Sequence, residues 1–331
     1  MRAAIITEGG KNIGFGHITR CLSIAEAFKE KGWKTTFIVN DDAALKEILK
    51  DEEFKTYRSS GDYLWEILEY IHSEDIVFID SYKLTLQEYE HIRGAVSRIV
   101  YYDDNNRLNY PPGIIVNGSV YANSLSYPRN PDNNYLLGTS YVPIRREFMD
   151  VDKRKIKQKI QSVLITFGGD DLQEMTEWVR DCILTELSDV LLHVVVGKAF
   201  RNYQTFKKSQ TLRVQYHSDI KAIEMKNLMC QVDLAISAGG QTLHELARTG
   251  TPTIGICVAE NQVNNLEGWQ KKGFLKFCGW YNNPYLVQRL REALELVHHK
   301  RLREKMSRAG QRFVDGRGAQ RTVIKILEMI K

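Results

Sequence analysis

Short runs of β-branched and aromatic residues alternate with amphipathic helical stretches along most of the chain, and that alternation leaves few folds open. In the first half the pattern predicts strands at Ala3–Thr7, Thr35–Val39, Ile76–Ile79, Arg98–Tyr102 and Ile114–Asn117. Helices are predicted between them at Ile18–Lys31, Ala43–Leu49, Leu64–Ile71 and Leu86–Arg93. The second half repeats the grammar, with strands at Ser162–Thr166, Leu191–Val196, Arg213–Tyr216, Leu234–Ser237 and Thr253–Ile256. Its helices fall at Glu174–Leu184, Ala222–Cys230, Leu243–Arg248 and Gln262–Lys272. Strands alternating with helices make βαβ units, and those units make a parallel sheet. The apolar runs are short and not strictly alternating, as expected for strands covered by helices on both faces.

A chain of 331 residues is about two domains long. The halves meet at 150–158, the basic run Asp-Val-Asp-Lys-Arg-Lys-Ile-Lys-Gln. No aromatic residues interleave with it, so it reads as a solvated linker and helix face rather than a nucleic-acid patch. The expected domains are 1–150 and 151–331, two Rossmann-like α/β domains facing one another across a cleft. From Pro284 the tail is expected to be helical, broken near Gly310 and again at Gly316–Gly318, with the last helix free to pack back on the N-terminal domain.

Composition excludes several classes. With 43% hydrophobic and 26% charged residues the chain is neither disordered nor a coiled-coil rod. No apolar run approaches the ~20 residues that a bilayer helix needs, so no membrane insertion is expected. Met1–Ile6 leads straight into a strand with no leader pattern, which suggests a cytoplasmic protein. The net charge of +5 suits an anionic small substrate and does not argue for nucleic acid. Five scattered cysteines without a CxxC pair argue against a disulfide framework and a zinc site. A monomer without metal or cofactor is the expectation.

In open α/β sheets ligands bind beyond the carboxyl ends of the strands, so the loops there carry the chemistry. The first reads Glu8-Gly9-Gly10-Lys11-Asn12-Ile13-Gly14-Phe15-Gly16-His17 and opens a helix. Gly14 and Gly16 allow a tight turn whose amides can approach a ligand. It lacks the Gly-Lys-Ser/Thr of a Walker loop and the third glycine of a dinucleotide fingerprint. His17 lies at the helix start with Arg20 a turn further on, where an imidazole can take a proton from water. In the second half Ser237-Ala238-Gly239-Gly240-Gln241-Thr242-Leu243-His244-Glu245 joins a strand to a helix. Its small residues let the backbone reach a diphosphate, the helix start supplies amides and positive dipole, and Glu245 can accept from ribose hydroxyls. Gly168 and Gly169, in Phe167-Gly168-Gly169-Asp170, could pass close to the diphosphate. Glu260, Asn261 and Gln262 mark another strand–helix junction with donors and acceptors for a sugar or phosphate.

Taken in order, these segments resemble the MurG-like GT-B nucleotide-sugar proteins. Within them the chain is similar to the UDP-2,4-diacetamido-2,4,6-trideoxy-β-L-altropyranose hydrolases of pseudaminic acid biosynthesis and their spore-coat polysaccharide relatives. The resemblance rests on the stretch from Ile13 to Leu22, on Ile79-Asp80-Ser81-Tyr82, Tyr102-Asp103-Asp104, Asn117 with Tyr121-Ala122, and the run from Tyr141 to Phe148. It continues through Phe167–Asp170, Ser237–Glu245, Glu260–Gln262 and Asp315–Ala319. It implies metal-independent hydrolysis of a UDP-linked 6-deoxy-2,4-diacetamido sugar at the anomeric carbon, with inversion and release of UDP. It makes His17 the general base, with Tyr82 and Asn261 beside it as the catalytic set. Arg20, Asp80 and Arg145 join the substrate-binding residues. Thr19 is a departure, since such loops often carry Met or Lys before the arginine.

Two alternatives stand beside the hydrolase: a GT-B glycosyltransferase that passes the sugar to an acceptor other than water, and a non-catalytic nucleotide-sugar binding protein. The first needs an acceptor site, and no basic and apolar cluster marks one in the N-terminal half. The second predicts UDP binding without turnover, which a histidine in a Gly-Phe-Gly-His loop argues against.

Overall fold

In the computed structural model of the protein, residues 1–10, 13–58, 63–72, 75–128, 130–169, 171, 173–197, 200 and 211–330 are described. Lys11 and Asn12 of the first loop and Asp170 of the glycine turn lie outside them. The chain divides into two units, Met1–Arg145 with Arg317–Lys331, and Arg146–Gly316. The division thus falls ahead of the basic run at 150–158. Asp152, Lys153, Lys155, Lys157 and Gln158 of that run are exposed, so it is the solvated linker expected, but it forms no helix face. It has no regular structure, and Arg154 is turned inward, donating to the carbonyls of Met229 and Val232 and to the Thr251 hydroxyl. Carbonyls at a helix C-terminus lack intrahelical partners, and a guanidinium with five donors can serve several at once.

The first unit is a seven-stranded sheet of β1 (Arg2–Thr7), β2 (Lys34–Asn40), β3 (Phe54–Tyr57), β4 (Ile76–Asp80), β5 (Arg98–Tyr102), β6 (Ile114–Asn117) and β7 (Asn134–Leu137). The order is β3-β2-β1-β4-β5-β6-β7 and every pairing is parallel. Residues on one face of the strands, among them Ile5, Phe37 and Phe78, pack against Ile18, Ile24 and Phe28 of α1 (Gly16–Lys29). Val323 and Ile326 of the C-terminal helix Gly318–Met329 join the same cluster, which is why the tail belongs to this unit. The alternate strand residues Ile6, Val77 and Ile79 meet Ile67 and Ile92 from helices Tyr63–Tyr70 and Leu86–Ala95. Burying an isoleucine or phenylalanine in this way contributes about 1.5–3 kcal/mol each.

The second unit holds β8 (Ser162–Thr166), β9 (Leu191–Val196), β10 (Val214–Ser218), β11 (Leu234–Ser237), β12 (Thr253–Cys257) and β13 (Leu275–Trp280), in the order β10-β9-β8-β11-β12-β13, again all parallel. Helices Met175–Glu186 and Leu286–His298 cover one face through Val179, Ile183, Leu290 and Leu294. The expected break near Gly310 is absent. Helix Lys300–Phe313 runs through it, and a Cβ at 310 would stand 2.6 Å from the Ala247 carbonyl oxygen. That glycine allows close helix–helix approach, and the helix ends at Phe313 instead. Among the described residues no helix is long and apolar enough to cross a membrane.

Strand order reverses direction at β1/β4 in one sheet and at β8/β11 in the other. Such switch points leave the loops splayed to either side, and ligands bind there. The loops after β1 and β4 carry His17 and Tyr82; those after β8 and β11 carry Gly168–Gly169 and Gly239–Glu245.

Candidate active site

Gly14 turns the chain from β1 into α1 with φ +80°, a conformation that costs a side-chain-bearing residue energy. His17 comes next as the second residue of α1, whose N-cap, Phe15, makes no side-chain cap bond. A Cβ at Gly16 would meet nothing within 4 Å, while the His17 side chain itself is buried.

The pairing of β1 with β4 brings His17 to Asp80, 63 residues away, with Nδ1 and Oδ1 2.7 Å apart. An ionised carboxylate can only accept, so the proton of that bond sits on Nδ1 and Nε2 is left as the acceptor. Arg20 Nη2 also stands 3.0 Å from Nδ1, but it donates to Asp80 Oδ1 at 2.6 Å. Asp80 further accepts from Arg20 Nε at 2.5 Å and from the Cys21 thiol at 3.6 Å. Burial alone would push this carboxyl up; the Arg20 guanidinium and His17 outweigh it and hold Asp80 well below the usual carboxylate range. Burial, then the Asp80 charge, pushes the Cys21 thiol up, so it remains a donor.

Arg20 reaches on with Nη1 to Asp104 Oδ2 at 2.8 Å, and its guanidinium lies 4.3 Å over the Tyr102 ring. Tyr82 donates to the same Asp104 oxygen at 2.9 Å and meets the His17 ring edge-on, centroids 4.7 Å apart. Burial, reinforced by Asp104, pushes the Tyr82 phenol well above its ordinary range, so its proton stays on. Behind it Glu8, itself buried, accepts from the Ser81 hydroxyl and the Tyr82 amide. Asp103 faces elsewhere, accepting from Tyr127 at 2.8 Å.

Of the residues the sequence pointed to, His17, Arg20, Asp80 and Tyr82 therefore form one cluster. Asp80, expected to bind substrate, is 0% exposed and takes its hydrogen bonds from His17, Arg20 and Cys21. Asp104 and Glu8 were not singled out as site residues. Their positions at the ends of β5 and β1, flanking β4 or pairing with it, were the available signal. Arg145 is half-buried at the end of the first unit's main segment.

In the second unit Ser237 ends β11, and Gln241 begins the helix Thr242–Thr249 without a side-chain cap bond. Glu245, in that helix's first turn, is 2% exposed. The two glycines differ. A Cβ at Gly239 would strike Leu266 at 2.7 Å and Gln262 at 2.9 Å, whereas one at Gly240 meets nothing within 4 Å. Gln262 Oε1 accepts from the Gly239 and Val258 amides, and Asn265 donates to the Gly239 carbonyl at 2.7 Å, so these side chains hold the loop. Glu260 and Asn261 are exposed in the short turn after β12. Gly168 and Gly169 form an exposed turn after β8, Gly168 at φ +92°. Among the described residues no group of three or more His, Cys, Asp or Glu side chains is arranged to hold a metal ion.

Two parallel sheets of seven and six strands, each with its candidate residues at the switch point, make a GT-B-type fold. The fold is that of MurG from Acinetobacter baumannii, with a TM-score of 0.68, 13% identity, and 99% of this chain and 100% of that one covered. No family model matches the chain. In sequence it is 25% identical over 266 residues to the pseudaminic acid cytidylyltransferase and UDP-2,4-diacetamido-2,4,6-trideoxy-β-L-altropyranose hydrolase of Helicobacter pylori, covering 80% of this chain and 46% of that one. It is 22% identical to the UDP-2,4-diacetamido-2,4,6-trideoxy-β-L-altropyranose hydrolase of Campylobacter jejuni, covering 83% of this chain and 98% of that one. A spore coat polysaccharide biosynthesis protein of Bacillus subtilis is 22% identical, covering 96% and 95%. The chain thus spans about half the length of the Helicobacter relative and nearly all of the other two. These relatives bear out the resemblance drawn from the motifs.

Proposed function

We propose that this chain hydrolyses a UDP-linked 6-deoxy-2,4-diacetamido sugar at its anomeric carbon, releasing UDP and the free sugar with inversion. The reading is carried by the His17–Asp80 pair, which fixes the imidazole through Nδ1 and leaves Nε2 as the proton acceptor. In this mechanism Nε2 takes a proton from water as the water oxygen attacks the anomeric carbon. The bond to the diphosphate oxygen breaks, its electron pair leaves with UDP, and the proton later passes from His17 to solvent. Attack opposite the leaving group inverts the centre. A positioned base of this kind contributes about 10²–10⁴-fold.

The second unit takes the nucleotide. Glu245 accepts from the ribose hydroxyls, and the backbone from Ser237 through Gly239, Gly240, Gln241 and Thr242 faces the diphosphate at a helix start. Gly168, Gly169, Glu260 and Asn261 complete this seat. Departing charge is met by amides and helix dipole, so no metal is required.

The test is a panel of UDP- and CMP-linked sugars incubated with the protein in excess EDTA, with UDP release and product anomer followed by NMR. The expected result is UDP and an inverted free sugar from a UDP-diacetamido donor. Release only with a hydroxylic acceptor present would make the protein a transferase. UDP binding without any turnover would make it a binding protein, and loss of turnover in EDTA would overturn the metal-free mechanism.

A further inference from the structure

The side chains around His17 close into a circuit. His17 bonds to Asp80, Asp80 to Arg20, Arg20 to Asp104, Asp104 to Tyr82, and the Tyr82 ring packs edge-on against His17. Asp104 is the corner that holds both arms. One of its oxygens, Oδ2, receives Arg20 and Tyr82 together.

We propose that Asp104 is a positioning residue for the His17 base, pinning Tyr82 against the imidazole and supplying the counter-charge for the imidazolium formed in the reaction. The inference rests on the hydrolase reading above. Asp80 and Asp104 carry two negative charges, and Arg20 spans them with one positive charge. With His17 neutral the circuit therefore holds an excess negative charge, and it becomes neutral when His17 accepts the proton from water. Of the other ionisable groups facing this set, Tyr82, Cys21, Tyr102 and Tyr121 are held protonated, chiefly by burial, and Glu8 is hydrogen-bonded to Ser81 and the Tyr82 amide. The Asp104 side chain is 17% exposed, so its charge is only partly screened. The Tyr82 proton is committed to Asp104, which fixes the ring beside His17 and removes Tyr82 from the candidates for acid or base.

The geometry also supplies a clean variant. In Asp104→Asn the amide oxygen can take the place of Oδ2 and accept from both Arg20 and Tyr82. The amide nitrogen then replaces Oδ1, which receives no hydrogen bond among the described residues. The substitution removes the charge and spares the hydrogen bonds. Expected are an unchanged melting temperature and UDP affinity, kcat about ten- to a hundredfold lower with KM little altered, and an acid limb of the kcat/KM profile displaced to lower pH. The displacement has that sign because removing a nearby negative charge disfavours the imidazolium. Tyr82→Phe, which cannot donate to Asp104, should lower kcat by about tenfold without moving that limb.

Wild-type kcat and an unmoved limb in a folded Asp104→Asn enzyme would overturn the proposal, as would a loss confined to KM. If the wild type turns over no UDP-sugar, the hydrolase reading falls by itself. The circuit is then tested by NMR titration of the His17 imidazole, which must shift to lower pH in Asp104→Asn. If Asp104→Asn unfolds, the same titration is read in Asp104→Glu, where the retained charge should leave it unmoved; a shift to lower pH there would overturn the proposal.

Discussion

The two sheets end in different materials. At the β1/β4 switch the first unit gathers charged and aromatic side chains, His17, Arg20, Asp80, Tyr82 and Asp104, into a circuit of hydrogen bonds. At the β8/β11 switch the second unit offers glycine backbone and a helix start, with Gln262 and Asn265 spent on holding the loop. An imidazole oriented by a charged Asp80–Arg20 pair suits the transfer of a proton. Amides and a dipole suit a polyanion, since they bring positive character without a titratable group. On the proposed reading the same α/β frame serves chemistry in one half and binding in the other, according to the residues at the carboxyl ends of its strands.

If that division holds, a change at one switch point should leave the other's function intact. The largest separation is expected for His17→Ala. Turnover should fall about 10²-fold or more while UDP affinity by calorimetry stays unchanged. A loss confined to KM would move His17 into the binding class and dissolve the contrast.

Asp80 sharpens it next, because its role is read as support rather than contact. Asp80→Asn leaves Arg20 and His17 facing a neutral group in a buried site, and unfolding stability should drop by about 3–5 kcal/mol. The folded carboxyl titrates well below its ordinary value of 3.8. The stability that its ionised form contributes is therefore fully present above about pH 4 and is lost as pH falls. The wild type should lose stability on acidification below that point more steeply than Asp80→Asn; parallel acid limbs in chemical denaturation would refute the assignment.

On the second unit the expected effects are smaller. Glu245→Ala should weaken UDP by about 1–3 kcal/mol with the base chemistry untouched. Unchanged affinity would mean that the buried Glu245 carboxylate serves the fold alone. The two glycines give the finest test. Gly239→Ala should cost about 1–3 kcal/mol of stability, because its Cβ collides with Leu266 and Gln262. Gly240→Ala should change stability by no more than about 0.5 kcal/mol, since its Cβ meets open space, yet it should weaken UDP. Equal stability losses in the two variants, or unaltered UDP affinity in the second, would remove the diphosphate from this loop.

Some of the architecture was legible without coordinates, and particular residues show why. The β1, β8 and β9 runs announce themselves, since strands covered by helices are mostly apolar. The edge strands β3 and β7 do not: Lys55 and Asn134 are exposed and each strand has four residues, too short for periodicity to register. β13 hides behind Lys276 and Gly279. Gly310 read as a break because an isolated glycine looks alike whether it ends a helix or lets a second helix approach.

His17 and Glu245 could be named as candidates because a strand, a glycine turn and a helix start are all local, and local geometry is set by adjacent residues. The alternation itself likewise dictated two parallel sheets. The partner of His17 was not available in that way. Asp80 reaches it only because β4 pairs with β1, and Asp104 joins only because β5 lies beside β4. Strand order is set by the packing of helices from distant parts of the chain, including a C-terminal helix that covers the first sheet. The candidate base lies in the sequence, while the charges that orient it were decided by tertiary structure, because the sheet brings together side chains 60 and 84 residues from Arg20.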